Sequence, residues 1–149
     1  MFGSLVLLAY MQQQMAAIDD AMLWSAFMPA YTPWHLLEHI RIAQADILDY
    51  IRNRTYLAPT WPEEYWPAHD ATATPEKFAL TIEGFRSDRT ALHELVADPA
   101  TDLLTTIPNT PGHTILREVR LVGDHNAYHV GEFAILRQVM GTWPPGREE

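Results

Sequence analysis

The sequence predicts an all-α fold, a four-helix bundle formed by a single domain over residues 1–149. Long segments carry apolar residues at three- and four-residue steps, which is the period of an amphipathic helix. Prolines stand at the starts of these segments or in the connections between them, and no segment alternates as a strand does. Helices without strands bury their apolar faces on one another, and 149 residues suffice for one such domain.

The first predicted helix covers residues 2–27, a segment that is rich in apolar residues and free of proline. Its apolar run from Met1 to Met11 is shorter than the roughly 20 residues that a transmembrane helix needs. A signal peptide begins with basic residues, whereas the first basic residue of this chain is Arg41. We therefore predict a helix of a soluble core, with a signal peptide or a membrane anchor as the alternative.

The second predicted helix runs from Trp34 to about Arg54, with Thr32 as its N-cap and Pro33 in its first turn. Its inward positions recur at helical spacing: Leu36, Ile40, Ala43, Ile47 and Ile51. Four charged residues are free to face water: Glu38, Arg41, Asp49 and Arg52.

A long loop rich in tryptophan and proline, residues 55–74, is predicted between helices two and three. It holds three prolines and several aromatic residues: Pro59, Pro62, Pro67, Trp61, Tyr65 and Trp66. Proline interrupts helices, and loops of this length in compact domains usually pack or carry a function. We expect the loop to pack over one end of the bundle or on a partner subunit.

The third predicted helix runs from Pro75 to Ala97, with Thr74 as N-cap and Pro99 after its end. The fourth begins near Gly112 and continues to Met140, where Gly141 terminates it. Their apolar sides are predicted to comprise Phe78, Ile82, Phe85, Leu92 and Leu95 in the third helix and Val119, Val122, Tyr128, Phe133, Leu136 and Val139 in the fourth.

Charge and cysteine content exclude several classes of function. The formal charge is -9 and Lys77 is the single lysine, so no basic stripe is present for nucleic acid. The chain has no cysteine, so a metal site would use histidine, carboxylate, carbonyl or water. Absence of cysteine fits a reducing compartment, and we expect a cytoplasmic protein without a membrane or nucleic-acid partner.

His125 and His129 lie four residues apart in the fourth predicted helix, about 6 Å along its axis on one face. This spacing allows two imidazoles to bind one ion. A third ligand is needed, and the second helix offers His39 or, one turn earlier, His35. Glu132, one turn after His129, is a candidate ligand, a group that orients a histidine or transfers a proton, or a surface residue.

Alternatives without a metal exist for each histidine. A pair at this spacing also arises by chance, and a single buried histidine is commonly a core residue bonded to a carbonyl. A helical bundle with no metal is therefore a competing hypothesis. His69, His93 and His113 are interpreted as residues without a role at the site.

Three segments carry a resemblance to a known family. They are PWHLLEHIRIAQADIL at residues 33–48, WPEEYWP at 61–67 and GDHNAYHVGEFAILRQ at 123–138. Together, and in this order, they resemble the DinB family of metal-binding proteins over about residues 31–145. The resemblance implies a four-helix bundle of up-down-down-up type, commonly a homodimer. Residues 1–28 depart from the usual first helix of that family.

The resemblance also implies the ligands and the function. It points to His39, His125 and His129 as ligands of a divalent ion (zinc, nickel, iron or manganese), and it places a non-ligand at His35. It implies a metal-dependent enzyme of hydrolase or thiol-dependent transferase type that acts on a small molecule or thiol. Glu132 is the candidate catalytic residue. The alternative is a non-catalytic, metal-stabilised binding or stress-response module. Because metals bind neutral imidazole, we expect affinity to fall below about pH 6.5.

Overall fold

A computed structural model describes residues 31–108 and 110–142 of the chain. This part contains the α-helices α1 (Pro33–Arg52), α2 (Pro75–Ala97) and α3 (Ile115–Val139), with a short 3₁₀ helix at Glu63–Tyr65. Its only strand-like feature is an isolated bridge between Thr106 and Thr114. The all-α prediction is confirmed for these residues, whereas the first predicted helix, residues 2–27, lies outside them. None of the helices described is both long and apolar enough to cross a membrane.

Threonine side chains cap the N-termini of the three described α-helices. Thr32 and Thr74 accept hydrogen bonds from the backbone N–H three residues later, as predicted, and a proline follows each of them. α3 begins at Ile115 rather than near Gly112, with Thr114 as its cap. The reason is a turn in which Gly112 adopts a φ of 85° and the Ile107 N–H bonds to the His113 carbonyl.

The contacts of α1 define the direction of the other two helices. The Trp34 indole N–H at the start of α1 donates a hydrogen bond to the hydroxyl of Thr81, in the first half of α2. Leu48 near the end of α1 packs with Leu92 near the end of α2, so the two helices run parallel. Leu36 packs with Leu136 and Leu48 packs with Val122, so α3 runs antiparallel to both. The three described helices thus run down, down and up, as do the last three helices of an up-down-down-up bundle.

Parallel neighbours need a connection that returns along the bundle, and this requirement explains the long loop. α1 has 20 residues and is therefore about 30 Å long. The loop runs back along α1 toward its start. Tyr56, early in the loop, bonds to Asp46 in the second half of α1, and the carbonyl of Ala68, later in the loop, bonds to His35 in the first turn. It therefore packs along the helix rather than over one end of the bundle, which was one of the two placements that the sequence suggested.

Two charged residues that were predicted to face water are half-buried. Arg41 donates to Glu38, and Thr81 of α2 donates to the same carboxylate at 2.7 Å. The aliphatic part of Arg41 fills the space over Gly84, where an added Cβ would lie 2.9 Å from Arg41 Cδ. The prediction was wrong because α2 packs on this side of α1.

The apolar stripe of α3 is shorter than predicted. Val122 and Leu136 are buried, but Val139 is 47 % exposed and Tyr128 is 55 % exposed. Leu136 already packs with Leu36 in the first turn of α1. Val139 lies about one turn farther along α3, at its last residue.

Gln44 joins the three helices by hydrogen bonds. It is 1 % exposed, its Nε2 donates to the Phe85 carbonyl at 2.8 Å, and its Oε1 accepts from Asn126 Nδ2 at 3.1 Å. Both contacts lie between helices, one toward α2 and one toward α3. A single amide therefore fixes the distance and register of α1 against each neighbour.

We predict that Gln44→Ala lowers the free energy of unfolding by about 3 kcal/mol. The reason is that the Phe85 carbonyl and the Asn126 side-chain amide both lose their hydrogen-bond partner. Urea unfolding of wild type and variant measures this difference. The control is Gln138→Ala at an exposed position of α3, which should stay within about 0.5 kcal/mol of wild type. Equal stability of Gln44→Ala and wild type would contradict a structural role for the amide.

Candidate metal centre

Three histidine rings from two helices converge in the described part of the chain. His39 lies in the middle of α1, and His125 and His129 lie one turn apart on α3. His125 Nε2 is 3.2 Å from His39 Nε2 and 3.1 Å from His129 Nε2. His39 is 2 % exposed and His129 is 6 % exposed, while His125 is half-buried. The structure thus brings together all three histidines that the sequence predicted as ligands.

The spacing of the three nitrogens suits a divalent ion. At Zn–N distances of about 2.0–2.1 Å, a tetrahedral angle separates two ligand nitrogens by about 3.3–3.4 Å. The observed separations of 3.2 and 3.1 Å are close to this value, and all three ligand atoms lie within 4.8 Å of one another. Two of the three nitrogen separations therefore already match those of a tetrahedral site.

Hydrogen bonds on the far edges of two rings fix their tautomers. His39 Nδ1 is 2.8 Å from the Tyr65 carbonyl, and His129 Nδ1 is 2.5 Å from Glu132 Oε2. A carbonyl or carboxylate accepts only, so each Nδ1 carries a proton, and the Nε2 of each ring in its neutral form carries a lone pair.

His125 cannot satisfy both of these lone pairs. Its Nε2 lies between the other two and has at most one proton to donate. At least one acceptor that points into the cluster is therefore left without a donor, which costs roughly 1–3 kcal/mol when it is buried. A cation at the centre satisfies all three nitrogens, so the residues present fit a metal ion.

Burial disfavours the charged form of two of the three rings, His125 and His39. Burial, followed by the nearby His129 and His39 rings, lowers the pKa of His125 to about 4. Burial also lowers the pKa of His39, although its bond to the Tyr65 carbonyl acts in the opposite direction. Since metals bind neutral imidazole, these shifts move the expected loss of metal below pH 6.5, the value for a free histidine.

Glu132 lies behind His129, away from the converging Nε2 atoms. Burial acts to raise the pKa of Glu132, but its hydrogen bonds outweigh burial and the pKa is lowered. Besides His129, the donors are the hydroxyls of Tyr128 and Tyr31. Burial and this carboxylate raise the pKa of Tyr31 to about 12, so its hydroxyl remains a donor. The arrangement suits a carboxylate that orients His129.

The other histidines lie outside the cluster. His35, the rival of His39, is 4 % exposed and bonds to Thr32 and to the Ala68 carbonyl. His69 and His93 are exposed, as their interpretation without a role implies. The described residues therefore support His39 as the partner of the α3 pair.

His113 takes part in a polar cluster that the sequence did not indicate. Its Nδ1 is 2.8 Å from the Tyr50 hydroxyl and 3.5 Å from the buried carboxylate of Glu118. Arg117 pairs with the same carboxylate. These groups fasten the connection between α2 and α3 to the end of α1.

Two further residues at the centre were not identified from the sequence. Trp66 stacks face to face on His39, with ring centroids 3.9 Å apart and an interplanar angle of 2°. Tyr65 contributes its backbone carbonyl, a group that every residue has and that no sequence motif marks. The density of aromatic residues in the loop indicated packing but not this target.

We predict that the His125 ring of the metal-free protein stays neutral down to about pH 4. The unfolded chain binds this proton near pH 6.5, so the metal-free fold loses stability as the pH falls from about 6.5 to about 4. Imidazole ¹⁵N chemical shifts report the protonation directly. The pH-dependent loss of stability should be smaller in His125→Gln. A His125 titration midpoint near 6.5 in the folded protein would contradict the prediction.

Comparison with known proteins identifies one family. The model of the DinB superfamily matches residues 9–133. The match begins before residue 31, where the resemblance was expected to start, and it includes much of the segment that was interpreted as a departure. No curated protein and no solved structure gives a significant match. Because the match covers most of the chain, including all three converging histidines, the protein belongs to the DinB superfamily.

Proposed function

We propose that this protein binds one divalent metal ion through the Nε2 atoms of His39, His125 and His129, and that the ion is the reactive centre of a metal-dependent enzyme. The observation that carries the proposal is the convergence of three ring nitrogens. The tautomers of His39 and His129 place a lone pair on the Nε2 atoms of these two rings. Membership in the DinB superfamily agrees with it.

A group of three protein ligands among the described residues supports a catalytic role. Within residues 31–108 and 110–142, the ligand group consists of the three histidines, without a carboxylate. Glu132 is engaged at His129 Nδ1 instead. Three protein ligands with a free position are typical of catalytic zinc sites, whereas closed four-ligand sites are structural. Such an ion supplies Lewis acidity, which makes a water or a thiol more acidic at neutral pH.

Glu132 acts on the centre through His129. By accepting the Nδ1 proton, the carboxylate keeps the Nε2 lone pair directed at the cluster and makes it more basic. Tyr31 and Tyr128 hold the carboxylate in place. We therefore assign Glu132 an orienting role and keep proton transfer by Glu132 as a second part of the proposal.

The ligand set and the family support the proposed reaction class. We propose a hydrolase or a thiol-dependent transferase acting on a small molecule, with zinc, nickel, iron or manganese as the ion. Imidazole ligands suit zinc, nickel and iron in particular. A homodimer in the cytoplasm remains part of the proposal.

A second candidate is a binding or stress-response module in which the metal is structural. It is favoured by the origin of the ligands, since His39 comes from α1 and the other two come from α3. An ion at this point joins the two helices and stabilises the fold. The two candidates differ in whether a further ligand has access to the ion.

We predict that the purified protein holds about one divalent ion per chain. The metal content of His39→Ala and of His125→Ala should fall to background, because each variant loses a ligand. Elemental analysis after dialysis against zinc measures this. His35→Ala is the control for a buried histidine and His93→Ala for an exposed one, and both should keep the ion. The same substoichiometric zinc in wild type and in His125→Ala would contradict the proposal.

We predict that an added small thiol changes the visible absorption of the cobalt-substituted protein, because the open position accepts a thiolate. Titration with 2-mercaptoethanol at neutral pH tests this, with chloride as the control for ionic strength. An unchanged spectrum at saturating thiol would mean a closed coordination sphere. That result would favour the structural candidate over the enzyme.

A further inference from the structure

The loop between α1 and α2 contacts His39 on two sides. The Tyr65 carbonyl accepts the Nδ1 proton at 2.8 Å, and the Trp66 indole covers one face of the ring at a centroid distance of 3.9 Å. The two contacts restrict different motions. The hydrogen bond fixes the tautomer and the rotation of the ring in its own plane, whereas the stack fixes the orientation of the plane.

The loop is itself anchored on α1. The Tyr65 hydroxyl donates to Asp46 Oδ2 at 2.7 Å, and the Tyr56 hydroxyl donates to Oδ1 at 2.7 Å. Asp46 lies seven residues after His39, which is about two turns along the same face of the helix. Tyr65 therefore reaches from Asp46 with its side chain to His39 with its carbonyl.

The indole is also held from behind. Trp66 packs against the core cluster of Leu36, Ile40 and Leu136, and its ring lies 5.3 Å from that of Tyr31. A half-buried aromatic side chain with contacts on several sides has few alternative rotamers. The indole that stacks on His39 is therefore itself held in one orientation.

His39 depends on such support more than the other two ligands do. His125 and His129 share one helix, so the rigid spacing of α3 sets their separation. His39 is the only one of the three that α1 contributes. A rotation of its ring removes Nε2 from the cluster and leaves a two-ligand site.

We propose that Tyr65 and Trp66 are positioning residues of the metal centre, which hold His39 Nε2 in its ligating orientation before the ion arrives. The proposal rests on the proposed metal binding and adds to it the residues that determine affinity and geometry. Preorganisation of this kind reduces the ordering that metal binding must impose on the ring.

The test uses the full chain loaded with cobalt(II), whose visible absorption reports coordination geometry. Removal of a contact that orients a ligand typically weakens metal binding 10- to 100-fold. We expect Trp66→Leu to lower cobalt affinity at least about tenfold and to change the spectrum at saturation. Trp66→Phe should retain most of the affinity, because a phenyl ring also stacks on imidazole. Leu57→Ala is the control and should keep the wild-type affinity, since Leu57 lies in the same loop and is 88 % exposed.

A purely structural role for Trp66 gives a different result. In that case Trp66→Leu unfolds at lower urea but shows the wild-type spectrum and affinity once it is folded and saturated, which would overturn the positioning proposal. Metal binding by the wild type would still stand. If the wild type binds no cobalt, both proposals fail together.

Tyr65→Phe keeps the test decisive if Trp66→Leu does not fold. It deletes one hydroxyl at Asp46 and leaves both the carbonyl at His39 and the stack of Trp66 in the chain. We expect a several-fold loss of cobalt affinity, on the order of the loss caused by removing other residues that orient metal ligands. The circular dichroism spectrum should remain that of the wild type. Unchanged affinity in folded Tyr65→Phe would overturn the role of the loop.

Discussion

Two hydrogen bonds on the outer edges of imidazole rings determine what the histidine cluster can do. The Tyr65 carbonyl takes the Nδ1 proton of His39, and Glu132 takes that of His129. Each bond directs a lone pair inward, where His125 can satisfy only one of the two. A group of buried neutral histidines with donors and acceptors in balance would be an ordinary polar core. With these two tautomers fixed, the same three rings present nitrogens that a cation would satisfy together.

The directions of the helices explain how one of these bonds arises. Because α1 and α2 run parallel, the chain must return along the length of α1 before α2 begins. The returning loop passes Asp46 and then His39, and it brings a carbonyl and an indole to the ligand. The loop thus contacts His39 directly and is not only a connection. Gln44 maintains this arrangement from the opposite side by joining α1 to both neighbours.

Much of the centre could be predicted from the sequence, and the limits have physical reasons. The four-residue spacing of His125 and His129 determines their common face, because both lie on one helix. The choice of His39 over His35 depends on how α1 is rotated toward α3, which helical period alone does not fix and which the family resemblance supplied. The predicted exposure of Glu38 and Arg41 was wrong because the face that α2 covers is itself partly polar. The Tyr65 carbonyl could not be found at all, since a backbone group has no signature in the sequence.

In the proposed function, three rings bind the ion, Glu132 and the loop orient these rings, and one coordination position is left for a substrate. All of it depends on the presence of an ion between the three Nε2 atoms. Crystals of the zinc-loaded protein, measured on both sides of the zinc absorption edge, test this most directly. The account predicts one strong anomalous peak about 2.0–2.1 Å from the Nε2 atoms of His39, His125 and His129. A map without a peak there, in a crystal where the rings bond only to one another, would contradict it.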